Sequence, residues 1–209
     1  MRLSRLDSAD PRDVLRALRG AVLGAGPAVA LGAPEGVPDD VPAGTAVVVT
    51  TSGSTGYPKS VALSRSALTS SALATAERIG SGSWLLALPA TYVAGVQVMV
   101  RALVAGRDPA ILSGSFTPQT FTAAASAMAA SEAGHRIPTY TSLVPAQVQT
   151  LVDAGESDAA VARALASFEA VLVGGQALPP ALADRAAALG ARIVRTYGST
   201  ETSGGCVYD

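Results

Sequence analysis

Lysine is almost missing from this sequence. Its 15 basic side chains are 14 arginines and one lysine, Lys59, in a chain of 209 residues. Cysteine, histidine and tryptophan also occur once each, as Cys206, His135 and Trp84. One cysteine excludes an internal disulfide and a cysteine-based zinc site. One histidine excludes paired-histidine metal motifs and leaves a Ser-His-Asp triad a single candidate base. The formal net charge is −1 and there is no basic run, so the electrostatic footprint of a nucleic-acid binder is missing. Long apolar runs are missing too. The most apolar helical stretch, 93–105, is too short to span a bilayer and contains Arg101. The opening MRLSRLDSAD lacks the apolar centre of a secretory signal. These absences predict a cytoplasmic protein with no nucleic-acid partner and no membrane insertion; self-association into a homo-oligomer stays open. What is abundant is alanine, 42 residues in a chain that is 49% hydrophobic, enough for one sizeable core.

Turn residues and periodicity set the expected elements. Asp10-Pro11 reads as an N-cap followed by proline at the first helical position, opening a helix over 11–22. A short strand over 28–31, a Pro/Gly/Asp loop over 32–44 and a β-branched strand over 45–51 follow. After a Gly/Ser loop come a short strand at 61–63 and a helix over 65–79 capped by Ser64. The pattern then alternates. Strands are predicted at 84–88, 110–112, 139–143, 170–173, 192–196 and 206–208. Helices are predicted at 94–104, 117–132, 145–152, 158–166 and 179–189. Such alternation points to an α/β fold with mainly parallel sheets flanked by helices. His135 is expected in a surface turn, and Cys206 as a small buried apolar residue, since no base stands near it in sequence.

The lone lysine closes the segment TTSGSTGYPKS, residues 50–60. Hydroxyls, two glycines and one ammonium on one loop are what a polyphosphate requires. A plain Gly/Ser turn with an exposed lysine has the same composition. Lysine's rarity in an arginine-rich chain favours function, because its compact charge does what a planar guanidinium does not. The Walker A pattern nearly fits from Gly53 to Ser60, but Pro58 stands at its second glycine and has no N–H to donate. That disfavours a P-loop NTPase.

The segment TSGSTGYPKS resembles the phosphate-loop signature of the adenylate-forming enzymes: the acyl-CoA synthetases, luciferases and peptide-synthetase adenylation domains. Pro58 is an expected member of that signature, and Ser60 stands where the family has glycine. RTYGSTET, residues 195–202, resembles the family's Y-G-x-T-E signature, and VGGQAL, residues 173–178, its G-G-x-x-L segment. LPATYVAG, residues 88–95, resembles P-x-x-H-x-x-G, with Tyr92 at the histidine position. A core tyrosine at a helix start is the competing reading there.

The resemblance implies an ATP-dependent acid–CoA ligase, with ATP, Mg²⁺ and CoA as cofactor and co-substrates and a small carboxylic acid as substrate. It implies phosphate binding by Thr51, Ser52, Gly53, Ser54, Thr55, Gly56 and Lys59. Gly174, Gly175, Gln176, Tyr197, Gly198 and Thr200 would hold the rest of the nucleotide. Tyr197 would stack on adenine, and Lys59, Thr200 and Glu201 would be catalytic, Glu201 carrying the metal. Tyr92, Gly95, Ser142, Gly175 and Ser199 would border the acid pocket; Thr141 is the alternative to Ser142, and a plain strand end with hydroxyls is the alternative to both. Overall likeness, including the lead-in of about 50 residues before the loop, is greatest to o-succinylbenzoate–CoA ligases of menaquinone synthesis. Arg101 or Arg195 could neutralise that acid's second carboxylate.

The family's ribose-gripping aspartate and its mobile-domain lysine both lie beyond Glu201, and Lys59 is the one lysine in this sequence. The expectation is therefore that residues 1–209 form an ATP- and acid-binding N-terminal domain, binding ATP weakly and poor at adenylation. A CoA ligase for another aryl or acyl acid, a non-catalytic module that needs a partner domain, and a degenerate scaffold are the competing readings.

Overall fold

A computed structural model describes residues 1–24, 26–32, 36–51, 59–128 and 131–209. Two sheets with helices between and outside them build the fold. The small sheet has the order β1 (Leu3–Leu6), β2 (Ala28–Leu31), β3 (Thr45–Thr51), β4 (Lys59–Ser64). Its first three strands run parallel and β4 returns antiparallel to β3. The large sheet contains β5 (Ser83–Leu86), β6 (Ala110–Ile111), β9 (Thr139–Leu143), β10 (Ala170–Val173), β11 (Ile193–Ser199) and β12 (Gly204–Tyr208). Its spatial order is β12-β11-β10-β9-β5-β6, parallel except for the β11–β12 hairpin. A short hairpin, β7 (Ser131–Glu132) with β8 (His135–Arg136), stands apart.

Three helices fill the space between the sheets: α1 (Pro11–Leu23), α2 (Arg65–Ile79) and α3 (Val93–Val104). Asp10 caps α1 by accepting from the Arg12 N–H at 2.8 Å, and Gly24 ends it in the left-handed region. Ser64 caps α2 through the Ala67 N–H. Helix α3 is apolar apart from Gln97 and Arg101, and Gly95 through Leu103 are all buried because neighbours enclose it. Val96, Val98, Met99, Val100 and Ala102 join Trp84, Leu86, Tyr140 and Leu172 in this central core. The outer face of the large sheet is covered by α4 (Pro118–Ser126), α5 (Pro145–Gly155), α6 (Ala159–Ala166) and α7 (Pro180–Ala188). Strand β10 shows the result: Ala170 and Leu172 face the central core, Val171 and Val173 the outer one. A parallel strand buried on both faces reads as a continuous apolar run for that reason.

Several expectations change. Strand β1 was not expected, because LSRL is four residues long with exposed polar positions. It forms by pairing with β2 in parallel register. Strand β4 begins at Lys59, not at residue 61, since Thr51 and Lys59 are register partners. The helix expected over 117–132 ends at Ser126, and Ser131–Glu132 turns into the hairpin. Alanine's helix propensity is overridden there by the Ala133-Gly134 turn, both residues at positive φ. His135 is exposed on strand β8 rather than in a turn. Cys206 is exposed, not buried, because β12 is the edge of its sheet. Among the described residues no helix is long and apolar enough to cross a membrane.

Candidate functional site

The parallel strands β9, β10 and β11 end together, and the segments after them meet the start of α3 and the β11–β12 turn. In open α/β sheets this carboxyl-end crevice is where ligands bind. Two adjoining cavities occupy it. The inner one, about 140 Å³, lies between α3 and the strand ends, lined by Gln97, Arg101, Ser142, Gly174, Gly175 and Ser199 among others. The outer one, about 470 Å³, lies between the 175–178 segment and the β11–β12 hairpin. Gly175, Thr196 and Gly198 line both.

Glycine is required where these walls come together. A Cβ on Gly198 would stand 1.9 Å from the Gly204 carbonyl oxygen across the hairpin. One on Gly174 would stand 2.6 Å from Thr196 Oγ1. The hairpin turn is tightened by Thr202, a residue sequence reasoning passed over. Its hydroxyl accepts from the Ser199 N–H at 2.9 Å and donates to the Gly204 carbonyl at 2.7 Å. Hydroxyl-closed turns of this kind are legible in S-T-E-T. Ser203 takes the left-handed conformation, φ 59°, and its N–H closes on the Thr200 carbonyl at 3.0 Å.

The outer cavity is polar at one end and aromatic at the other. Tyr197 is 74% exposed, with Gln176, Leu178, Arg195 and Val207 around it. Arg195 is paired to Asp209 at 3.6 Å. Thr200 is buried and Glu201 exposed at the turn. The Glu201 carboxylate is ion-paired with the Lys59 ammonium, which joins the small sheet to the hairpin of the large one. Lys59, then the Glu201 backbone N–H, then the Ser199 hydroxyl pull the Glu201 pKa down to about 2. Glu201 is thus an anion at any ordinary pH. Among the described residues no three His, Cys, Asp or Glu side chains stand together as a metal cluster. One hard oxygen ligand fits Mg²⁺ held jointly by a carboxylate and substrate phosphates.

The inner cavity has an uncommon electrostatic character. Arg101 is 6% exposed, and among the described residues no carboxylate pairs with it. Burial lowers its pKa and Tyr208 opposes the shift. Among the described residues, its Nε, Gln97 Oε1 and Ser142 Oγ are buried without hydrogen-bond partners. All three residues line this one cavity. Buried polar atoms normally have partners, and a buried charge without one costs several kcal/mol. Arg101 Nε and Ser142 Oγ can donate to an anion, whereas Gln97 Oε1 is an acceptor and calls for a donor, so the cavity offers hydrogen-bonding groups of both kinds.

Thr51 and Lys59 therefore stand as register partners at the mouth of their loop, whereas Ser52, Gly53, Ser54, Thr55 and Gly56 lie outside the described residues. Gly174, Gly175, Gly198, Ser142 and Ser199 come together on the inner cavity, and Gln176 and Tyr197 on the outer. Thr141, the alternative to Ser142, donates to the Leu85 carbonyl inside the sheet. Tyr92 is 62% exposed and lines neither cavity. Gly95 packs against the Pro89 carbonyl and does not line the cavity. Gln97 was missed because a glutamine inside an apolar helix gives no signal until its neighbours are known.

The sequence pattern of AMP-binding enzymes matches residues 5–209. A Mycobacterium tuberculosis protein named "Probable 2-succinylbenzoate–CoA ligase" is 47% identical over 176 residues, 84% of this chain and 43% of that protein. The Escherichia coli 2-succinylbenzoate–CoA ligase is 33% identical over 154 residues, 72% of this chain and 29% of that one. The Bacillus subtilis o-succinylbenzoate coenzyme A synthetase in complex with AMP shares the fold at a TM-score of 0.65 and 24% identity. That superposition covers 78% of this chain and 32% of the other. The chain spans less than half the length of the curated relatives it matches.

Proposed function

This chain belongs to the AMP-binding enzyme family, and on that premise we propose that it is the ATP- and acid-binding N-terminal domain of an acid–CoA ligase acting on o-succinylbenzoate in menaquinone biosynthesis, in the cytoplasm. The observation that carries this reading is Arg101: a buried guanidinium without a carboxylate partner, on a cavity with two further unpartnered polar atoms. A monocarboxylate presented to the nucleotide gives such a cation nothing to bind at the cavity floor. An acid with a second carboxylate supplies the missing counter-ion. Arg195 does not fill that role, because it is half-exposed, paired to Asp209 and in the outer cavity.

The chemistry follows from placement. The acid's reacting carboxylate attacks the α-phosphorus of ATP, forming the acyl-phosphate bond as pyrophosphate leaves; the CoA thiol then displaces AMP. Gly175, Thr196 and Gly198 sit on the seam between the two cavities, where acyl group and α-phosphate must meet. Tyr197 offers an open ring face for adenine. Lys59 neutralises phosphate charge, with Thr51 as its register partner. Glu201 pairs with that lysine from the turn, and Thr200 is buried beside it in sequence. Mg²⁺, held by Glu201, would supply further charge neutralisation on the phosphates. In this scheme most of the rate enhancement is positioning and electrostatics.

Calorimetry with ATP and with a panel of aryl and acyl acids tests the assignment. The expected result is weak ATP binding and preference for o-succinylbenzoate. Pyrophosphate release by residues 1–209 is expected to be slow, and to rise on adding a separately expressed segment with the ribose aspartate and late lysine. A normal rate from these residues alone would overturn the domain assignment; preference for a monoacid would overturn the substrate.

A further inference from the structure

Arg101 forms part of a second cavity wall. A third cavity, about 220 Å³, lies between the C-terminal halves of α2 and α3 and the start of β5. The inner cavity takes Val93, Ala94, Gln97 and Arg101 from α3, and this one takes Arg101, Val104 and Ala105. Among the described residues Arg101 alone lines both. Trp84 places the guanidinium at this boundary. Its ring centroid is 5.1 Å from the guanidinium carbon, and the ring is stacked on Tyr140 at 5.2 Å. Trp84 lines the third cavity and neither of the other two. An aromatic face attracts the cation without cancelling its formal charge. Leu73, also on this wall, is 51% exposed, so the cavity reaches solvent beside α2.

The lining selects the ligand. Among the described residues its side chains are apolar except for the Ser81 hydroxyl and the Arg101 cation, and no carboxylate lines it. A volume of about 220 Å³ is below the range of about 300 Å³ and more that drug-sized ligands occupy. The chemistry that fits is a small carboxylate with an apolar body. The body packs on Ala72, Ala76 and Val104, and the carboxylate accepts from the guanidinium. One cation then serves two cavities. A carboxylate bound beside α2 neutralises the charge that a diacid needs at the strand ends. The two ligands therefore oppose each other, and by linkage each lowers the other's affinity by the same factor.

We propose that the cavity between α2 and α3 is a second binding site, for a small apolar monocarboxylate, and that its occupation lowers the affinity of the acid site for diacids. The site stands on the cavity and its one cation. The coupling rests on the reading given above, in which Arg101 receives the diacid's second carboxylate.

Trp84 is the one tryptophan of the chain, so its fluorescence reads this cavity directly. Titration with hexanoate is expected to give a saturable change, and hexanamide or sodium chloride at the same concentration to give none. No response to hexanoate, or an equal response to either control, overturns the site. Ala76→Phe, which fills the cavity, and Leu73→Glu, which sets an anion on its exposed edge, are each expected to abolish the change. Its persistence in both overturns the site; if Ala76→Phe does not fold, Leu73→Glu carries this arm. Calorimetry then compares o-succinylbenzoate with benzoylpropionate, which lacks the ring carboxylate, with and without saturating hexanoate. Hexanoate is expected to lower o-succinylbenzoate affinity about tenfold, the scale of one hydrogen bond to a charged group, and to leave benzoylpropionate affinity unchanged. Equal losses for the two acids place hexanoate in the acid site itself and overturn the proposal. No diacid preference without hexanoate overturns the parent reading and the coupling with it, whereas the Trp84 titration decides the site on its own.

Discussion

Lys59 and Glu201 form an ion pair between the first residue of β4 and the turn that closes the β11–β12 hairpin. The pair bridges two sheets that share no strand. It also sets the lysine expected at the phosphates against the carboxylate expected at the metal. Under the proposed function, a bound nucleotide is expected to exchange partners on the lysine, phosphate for carboxylate.

That exchange predicts a separation of binding from stability. Lys59→Ala is expected to weaken ATP binding at least tenfold, since an ammonium–phosphate contact is charge-assisted. The thermal midpoint is expected to stay nearly unchanged, because both side chains are about half exposed, 58% and 48%, and exposed pairs contribute little. Calorimetry with ATP and a thermal melt on the same samples check both parts.

The pair also predicts an acid-side signature. Glu201 has a folded pKa of about 2 against an ordinary 4.5. A depressed carboxylate contributes stability that is fully present above the unfolded value and is lost as pH falls through the folded one. The chain should lose this contribution, small because both side chains are about half exposed, between about pH 4.5 and pH 2. Glu201→Gln is expected to flatten the stability-against-pH curve in that window and leave it unchanged near neutrality in slope. Denaturant titrations at stepped pH measure the difference.

Arg101→Met is expected to abolish the preference for a diacid without lowering the melting temperature. Replacing an unpaired buried charge by an apolar chain of similar length is neutral or stabilising. Arg195→Met is expected to retain the diacid preference, because that guanidinium stands in the outer cavity beside Asp209. Calorimetry with the two acids, paired with melts, distinguishes the two arginines.

Gly198→Ala is expected to destabilise the chain by about 1–3 kcal/mol, the usual cost of overpacking. Its Cβ would meet the Gly204 carbonyl at 1.9 Å, backbone that has no rotamer to change. Gly32→Ala provides a contrast: among the described residues, chain neighbours aside, no atom lies within 4 Å of its Cβ, so the expected cost comes from its φ of 79°. Equilibrium unfolding in urea gives both values.

The sequence by itself determined the local elements and the chemistry-bearing motifs. Strands 28–31, 45–51, 139–143 and 170–173 were legible to the residue, because β-branched runs between turn residues have few other conformations open to them. The Asp10 and Ser64 caps were legible because a cap is a contact between residues two or three apart. The candidate motifs were legible for the same reason: each is a short contiguous segment. Tertiary structure alone decided everything that depends on residues distant in the chain. It buried Arg101 and left Arg195 half-exposed beside Asp209, since burial is set by the neighbours of α3 and not by α3 itself. It exposed Cys206 at a sheet edge, moved Tyr92 and Gly95 off the cavity walls, and extended β4 back to Lys59 through pairing with Thr51. It also brought Gln97, Arg101 and Ser142 onto one cavity from a helix and a strand. The physical reason is common to all of these. Propensity and capping act within a few residues, whereas burial, register and the cost of an unpaired charge exist only once the chain has packed.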